Sequence, residues 1–141
     1  MFQTKVKVAC IPYFKFDDGL KMLFMKPSDP SFSGTSFQCC KGTIGPGYSS
    51  ESIALKEAEE ELGLTEDNIK DLRFLFYDHI NYPDGRSCLI YVYVVEVLDP
   101  DKLVPFHYGT GSISWMSIKE VANNLRFIQR NIVYKVYNRI C

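Results

Sequence analysis

The sequence lacks the features that mark a membrane-spanning or secreted protein. Its longest apolar run, Cys88 to Val95, is far too short to cross a bilayer. The residues from Met1 to Val8 alternate and include two lysines, without the apolar core of a signal peptide. The net charge of −1 excludes a global basic field that would attract nucleic acid or an anionic membrane. We therefore expect a cytoplasmic protein with no membrane partner.

The cysteines lack the spacing of a zinc site and the even number of a disulfide framework. There are five of them, no CxxC motif is present, and Cys39 and Cys40 are adjacent. Most stand among apolar residues, where a cysteine behaves as a small core side chain. We expect free thiols in a reducing compartment.

The sequence also lacks internal repeats, low-complexity tracts and linkers. Its 141 residues are 46% hydrophobic and 23% charged, which is ordinary for a globular chain of one domain's length. We expect a single domain that covers residues 1–141.

Several segments have the β-branched and aromatic composition of strands, separated by turn signals such as Asp17-Asp18-Gly19 and Tyr82-Pro83-Asp84-Gly85. The glycine-rich stretch from Gly42 to Gly47 predicts a loop of unusual backbone shape. The predicted strands are Lys5 to Phe14, Leu20 to Met25, Phe37 to Cys40, Leu72 to Ile80, Cys88 to Val97 and Ser114 to Met116.

Three segments are predicted to be helical. The first runs from Ile53 to Leu62, with Ser49 or Ser50 as its N-cap and Gly63 as its stop. The others are Ser117 to Leu125 and Arg126 to Ile140, the latter with an apolar stripe expected to pack in the core. The order of strands and helices predicts an α/β fold, with a mixed β-sheet covered by helices on two faces.

The first predicted helix carries three carboxylates on one face. They belong to Glu57, Glu60 and Glu61, which stand at positions i, i+3 and i+4. Such a cluster repels itself in a purely structural helix, but it becomes favourable when hard cations such as Mg²⁺ or Mn²⁺ bind among the oxygens. A solvated surface face is the alternative interpretation, because charge runs usually have no further role.

The segment from Gly42 to Leu64, GTIGPGYSSESIALKEAEEELGL, resembles the Nudix box, G-x5-E-x7-R-E-U-x-E-E-x-G-U, where U is apolar. It aligns without a gap, and strand pairs stand before and after it, as in that family. Ala58 is a small version of the first apolar position. The matching residues are Gly42, Glu57, Glu60, Glu61, Gly63 and Leu64.

The resemblance implies a Nudix-type α/β/α sandwich, with a mixed β-sheet between helices. It further implies a pyrophosphohydrolase that cleaves a diphosphate linkage in a nucleoside di- or triphosphate derivative. Dinucleoside polyphosphates, nucleotide sugars, nucleoside triphosphates and RNA 5′ ends are all included in that class. Many members of the family are dimers, so a homodimer is one option.

By the same resemblance, Glu57, Glu60 and Glu61 hold Mg²⁺ or Mn²⁺, together with the backbone carbonyl of Lys41. The bound metal neutralises the diphosphate and lowers the pKa of an attacking water. Glu60 or Glu61 is the favoured general base, because the later loop from His107 to Ser114 contains no Asp or Glu. His107 is the alternative base.

Two box positions depart from the family pattern. Tyr48 stands where a glutamate is expected, and Lys56 stands where the arginine that pairs with it is expected. Together with Gly42 and Gly63 these residues form the predicted loop and support of the site. Lysine keeps the charge of arginine without its planar fork, so the support is altered while the metal-binding trio remains.

Two other functions stay open at this point. One is a catalytically weakened Nudix-fold module that binds nucleotides, and the other is an interaction domain with an accidental box. Among basic residues, Lys26, Lys41 and Arg86 could contact phosphates or simply be solubilising surface charges. The aromatic candidates for stacking on a base are Tyr77, Tyr82, Phe106 and Tyr108.

Overall fold

A computed structural model describes residues 5–29, 36–105 and 109–141, and these contain six strands and three α-helices. The strands are β1 Lys5–Phe16, β2 Gly19–Pro27, β3 Cys40–Thr43, β4 Ile69–Asn81, β5 Ser87–Val97 and β6 Thr110–Met116. The helices are α1 Ser50–Leu62, α2 Ile118–Asn124 and α3 Arg130–Ile140, and single 3-10 turns occur at Glu66–Asn68 and Phe127–Gln129. No helix in these ranges has the length and apolar character needed to span a membrane.

The strands form one mixed sheet in the order β4-β5-β1-β2-β6. The long central strand β1 pairs in parallel with β5 and antiparallel with β2 through its carboxyl-terminal half. Its amino-terminal half pairs antiparallel with the short strand β3, so that Cys10 lies opposite Cys40. The mixed sheet that the order of elements predicts is therefore confirmed.

Helices cover both faces of the sheet, because side chains alternate along each strand. Val8 and Cys10 of β1 pack against α1, whereas Ala9 and Ile11 pack against α2 and α3. All five cysteines are free, and the four other than Cys141 are buried in these two cores. The two apolar cores confirm the predicted sandwich and the predicted thiol packing.

Local chemistry fixes both ends of α1. The Ser49 hydroxyl accepts a hydrogen bond from the Ser52 backbone N–H at 3.1 Å, so Ser49 is the N-cap. Gly63 ends the helix with a φ of 71°, and a Cβ there would lie 2.2 Å from the Val104 backbone. Only glycine combines an easily adopted positive φ with the absence of a Cβ, so the predicted end of the helix is confirmed.

Several predicted boundaries are wrong, and among them the strand predicted from Ser114 begins at Thr110. Phe37 and Gln38 make only isolated bridges, and the strand instead runs from Cys40 to Thr43 because that segment pairs with β1. Gly42 is therefore a strand residue, not the start of a loop. The predicted helix from Arg126 is also interrupted, because the Arg126 backbone N–H donates to the Phe37 carbonyl at 2.7 Å. The continuous helix begins at Arg130.

Candidate active site

Helix α1 lies across β3, and this crossing brings Glu57 against Gly42. A Cβ at Gly42 would stand 2.6 Å from Cγ of Glu57 and 2.7 Å from its Oε1. Real side chains do not approach so closely, so only glycine leaves room for this carboxylate. The first glycine of the box thus has a steric role that the sequence pattern did not reveal.

Glu61 lies one turn further along α1, beside β3 and Glu57. Burial raises the pKa of Glu61 to about 7, and repulsion from Glu57 acts in the same direction. Hydrogen bonds from the Cys40 thiol, 3.2 Å from Oε2, and from the Lys41 backbone oppose the rise. Two close, half-buried carboxylates of this kind are an unfavourable arrangement that a bound cation would relieve.

Burial also raises the pKa of the Cys40 thiol well above its ordinary value, and the negative charge of Glu61 adds to the effect. The thiol therefore stays protonated and acts as a hydrogen-bond donor to Glu61. The sequence indicated only a packing role for Cys40, and the structure adds this contact to it.

Glu60 is half-buried on the same helix. In the described ranges, no three His, Cys, Asp or Glu side chains are gathered closely enough to form a complete metal site. The structure thus joins Glu57 and Glu61 and does not draw Glu60 to the same point. The oxygen donors that it does join, with the adjoining Lys41 backbone, have the chemistry that Mg²⁺ and Mn²⁺ prefer.

The two altered box positions lie towards solvent. Tyr48 is 63% exposed, and a Cβ built at Gly45 would lie 3.7 Å from its ring. Lys56 is also exposed on α1. Neither side chain is packed beneath the carboxylates, so their replacement leaves the contacts of Glu57 with Gly42 and of Glu61 with Cys40 in place.

A cavity of about 360 Å³ opens beside Glu61 and Gly42. Its walls carry far more positive than negative charge, and we call it the cation-lined cleft. Gln38, Tyr82 and Cys88 are among its other lining residues. The cationic side chains that line it are Lys5, Lys7, Lys41, Arg86 and Arg126.

The sheet explains how these cations converge. Lys5 and Lys7 alternate along β1 on the same face as Ala9, and Lys41 of β3 pairs directly with Ala9. These side chains therefore lie on the face opposite α1, at the end where β3 borders the sheet. The hydrogen bond to the Phe37 carbonyl holds Arg126 beside them.

The cations are close enough to affect one another. Burial lowers the pKa of Lys41, and repulsion from Lys7 and Arg126 lowers it further. A group of like charges in a partly buried cleft favours an anionic ligand, because such a ligand relieves both the repulsion and the burial cost.

The other two predicted phosphate-binding residues, Arg86 and Lys26, differ in whether they line the cleft. Arg86 does line the cleft, where it lies over the Tyr82 ring at 5.4 Å and pairs with Asp84 at 2.6 Å. Lys26 is not among the lining residues, and its ammonium lies 5.5 Å from the centre of the Phe37 ring. The alternative base His107, with Phe106 and Tyr108, lies outside the described residues.

Lys5, Lys7 and Arg126 were missed as site residues in the sequence. The alternation of Lys5 and Lys7 was a usable signal, because it places both ammonium groups on one face of a strand. Arg126 gave no such signal, because its position depends on a backbone contact with residue 37, far away in the chain.

The family model described as the NUDIX domain matches residues 4–136. The chain belongs to the Nudix family. This match confirms the family and the α/β fold that the box predicted, and it supports the predicted class of enzyme, a pyrophosphohydrolase. No curated protein matches the sequence.

Solved structures share the fold at low sequence identity. The NUDIX domain of Shewanella oneidensis NrtR, complexed with ADP ribose, has a TM-score of 0.81 and 15% identity, covering 100% of this chain and 91% of that one. A Caenorhabditis elegans Ap4A hydrolase in a binary complex has a TM-score of 0.74 and 15% identity, covering 97% and 98%. A NUDIX hydrolase from Nitrosomonas europaea has a TM-score of 0.73 and 21% identity, covering 97% and 90%.

Proposed function

We propose that this protein is a Mg²⁺- or Mn²⁺-dependent hydrolase that cleaves a diphosphate linkage in a nucleoside di- or triphosphate derivative. The observation that carries the proposal is the pair Glu57 and Glu61, held against Gly42 and Cys40. Glu61 and Gly42 also line the cation-lined cleft. The pair offers hard oxygen ligands, and the cleft offers positive charge for the phosphates beside them.

Glu57, Glu60, Glu61 and the Lys41 carbonyl are the groups that would hold the metal. When bound, the ion supplies neutralisation of the diphosphate and activation of a water molecule. Little covalent chemistry is then left for the protein, so its residues act mainly by positioning and by stabilising charge.

Glu61 is a better candidate than Glu60 for the group that accepts a proton. Its carboxyl lines the cleft, whereas Glu60 is not among the described lining residues. Cys40 would act as a positioning residue, since its thiol fixes one carboxylate oxygen of Glu61.

The substrate class is drawn from both the cleft and the relatives. The NrtR domain was solved with ADP ribose, and the C. elegans protein is an Ap4A hydrolase, so both names refer to adenosine derivatives that contain a phosphate bridge. A nucleotide-type small molecule is therefore the proposed substrate, and an RNA 5′ end carries the same phosphate chemistry.

A nucleotide-binding module without catalysis is the second candidate function. The replacement of the box glutamate by Tyr48, which is 63% exposed, and of the box arginine by Lys56 supports it. The closeness of the Glu57 and Glu61 carboxylates argues for catalysis, since a binding module has no need to hold two repelling carboxylates together.

The test is hydrolysis of a panel of nucleotides with and without Mg²⁺ or Mn²⁺, with the products separated by chromatography. The panel contains ADP-ribose, diadenosine polyphosphates, nucleotide sugars, nucleoside triphosphates and a triphosphorylated RNA. We expect metal-dependent cleavage that falls by roughly 10²–10⁴-fold in Glu61→Gln. Glu59→Gln is the matched control, because Glu59 is exposed on the same helix.

Each result decides between the two candidates. Turnover that survives Glu61→Gln, or that is equally lost in Glu59→Gln, contradicts the assigned site. Binding of nucleotides without any metal-dependent turnover shows the binding module instead.

A further inference from the structure

The cation-lined cleft holds more positive charge than a diphosphate linkage can use. Among the residues that the structure describes, five cationic side chains and one carboxylate, that of Glu61, line it. Asp84 already pairs with Arg86 at 2.6 Å. No ion pair to the remaining four cations, Lys5, Lys7, Lys41 and Arg126, is recorded between described residues.

Each bridging phosphate carries one negative charge. A diphosphate bridge carries two such charges and would balance only two of these four cations, since the carboxylates of Glu57 and Glu61 already balance the charge of one bound Mg²⁺. A longer phosphate chain would provide the missing negative charge.

The position of the cations also matches a linear ligand. Lys5 and Lys7 follow one another along β1, about 7 Å apart at the strand rise of 3.4 Å per residue. Lys41 lies on the neighbouring strand β3, next to the residues that hold the metal-binding pair. These three lysines therefore lead away from the proposed cleavage site along β1, as a chain of phosphates would.

We propose that the cation-lined cleft binds a chain of three or more phosphates, so that this protein prefers polyphosphate substrates to compounds with a single diphosphate bridge. This inference rests on the proposed function for its catalytic consequence, but the binding site itself does not. Cleavage takes place at the end near Glu57 and Glu61, and Lys7, Lys41 and Arg126 hold the phosphates beyond it.

Binding of inorganic phosphates tests the cleft independently of hydrolysis. Calorimetric titration of the metal-free protein would compare pyrophosphate with tripolyphosphate. We expect tripolyphosphate to bind at least about tenfold more tightly, and the difference to fall several-fold in Lys7→Gln and in Arg126→Gln. Lys15→Gln is the matched control, because Lys15 is exposed at the other end of the same strand β1.

Hydrolysis then identifies the source of the polyphosphate. The substrates are ADP-ribose, diadenosine di-, tri- and tetraphosphate, and a short triphosphorylated RNA. We expect kcat/KM to rise with the number of phosphates and this rise to flatten in Lys7→Gln and Arg126→Gln. A greater kcat/KM for the tetraphosphate points to a dinucleotide, and a greater value for the RNA points to a 5′ end.

The outcomes separate the two claims. Equal affinity for pyrophosphate and tripolyphosphate, or an equal loss in Lys15→Gln, overturns the inference even when the enzyme is active. Tight tripolyphosphate binding that depends on the cleft, without any hydrolysis, supports the inference and contradicts the proposed enzymatic function. Thermal melting of each variant checks that its fold is intact.

Discussion

The two faces of the sheet are packed similarly, but they have different roles. Met22 and Leu23 are neighbours on β2, and both are 0% exposed, yet they enter different cores. Met22 packs with residues of α2 and α3, which end the chain and support the sheet. Leu23 packs with the residues of α1 that hold Glu57 and Glu61 in place.

Polar contacts beside the carboxylate pair lie on the α1 side. Cys40 contacts Glu61 there, and the Ser50 and Tyr93 hydroxyls share a hydrogen bond of 2.6 Å. On the other side, the buried Gln129 accepts a hydrogen bond from the Cys39 backbone N–H at 2.7 Å, which ties β3 to the start of α3. The comparison teaches that the core beneath α1 positions the carboxylates, while the opposite core fixes the part of the sheet that carries the cationic side chains of the cleft.

The largest effect should come from truncating these two neighbours. Met22→Ala and Leu23→Ala should each lower the free energy of unfolding by about 2–5 kcal/mol, because each leaves a cavity in a fully buried site. Only Leu23→Ala should also lower kcat, because its cavity lies beneath α1. Chemical denaturation and steady-state kinetics measure the two quantities.

A loss of kcat in Met22→Ala equal to that in Leu23→Ala would contradict the proposed difference in role between the two faces of the sheet. Both variants should be assayed well below their melting temperatures, so that the folded fraction does not enter the comparison.

A smaller and more local effect is expected at Gly42. In Gly42→Ala the new Cβ would collide with the flexible Glu57 side chain, which must move aside. Because the neighbour can give way, the fold should remain stable, while activity falls by about 10–100-fold through the misplaced carboxylate. The measurements are kcat/KM and the affinity for Mg²⁺.

Gly45→Ala is the matched control in the same segment. A Cβ there would meet only the Tyr48 ring, at the ordinary distance of 3.7 Å. Full activity in Gly42→Ala would show that the close approach of Glu57 has no part in the reaction.

The smallest effect is a pH dependence confined to the α1 side. The pKa of Glu61 is about 7 in the folded chain, above its ordinary 4.5, so the folded state binds the proton more tightly. The metal-free protein should therefore lose on the order of 1–2 kcal/mol of stability as pH rises from about 4.5 to about 7. Glu61→Gln should remove this slope, and so should saturating Mg²⁺.

Denaturation in the presence of a chelator, repeated at several pH values, measures the slope. Glu59→Gln should keep it, because Glu59 is exposed on the same helix. A slope of the same size in Glu61→Gln would place its origin at another group.

Local patterns were sufficient to predict most of the fold. Helix α1 has strong helix formers between a serine cap and a glycine stop, and both ends lie where those residues place them. The strand from Phe37 to Cys40 was misplaced, because four residues carry little periodicity and the register depends on β1. The break after Arg126 likewise depends on a contact with Phe37.

The residues of the candidate site likewise fall into those that local sequence patterns predict and those that only the folded chain brings together. Glu57 and Glu61 could be found because one helix carries both at a fixed spacing. The cleft could not be found as a whole, because it joins Lys7, Lys41 and Arg126 from three separate parts of the chain. Only the folded sheet shows that these charges face one cavity.

The central position of β1 has a consequence for the newly made chain. The edge of β1 that pairs in parallel with β5 has no partner until Ser87–Val97 has been synthesised. Until then the apolar stretch Val8 to Ile11 presents open backbone donors and acceptors, which is the arrangement that recruits other strands. The same late pairing brings Cys88 beside Lys5, so this wall of the cleft forms only at the step that also closes the open edge of β1.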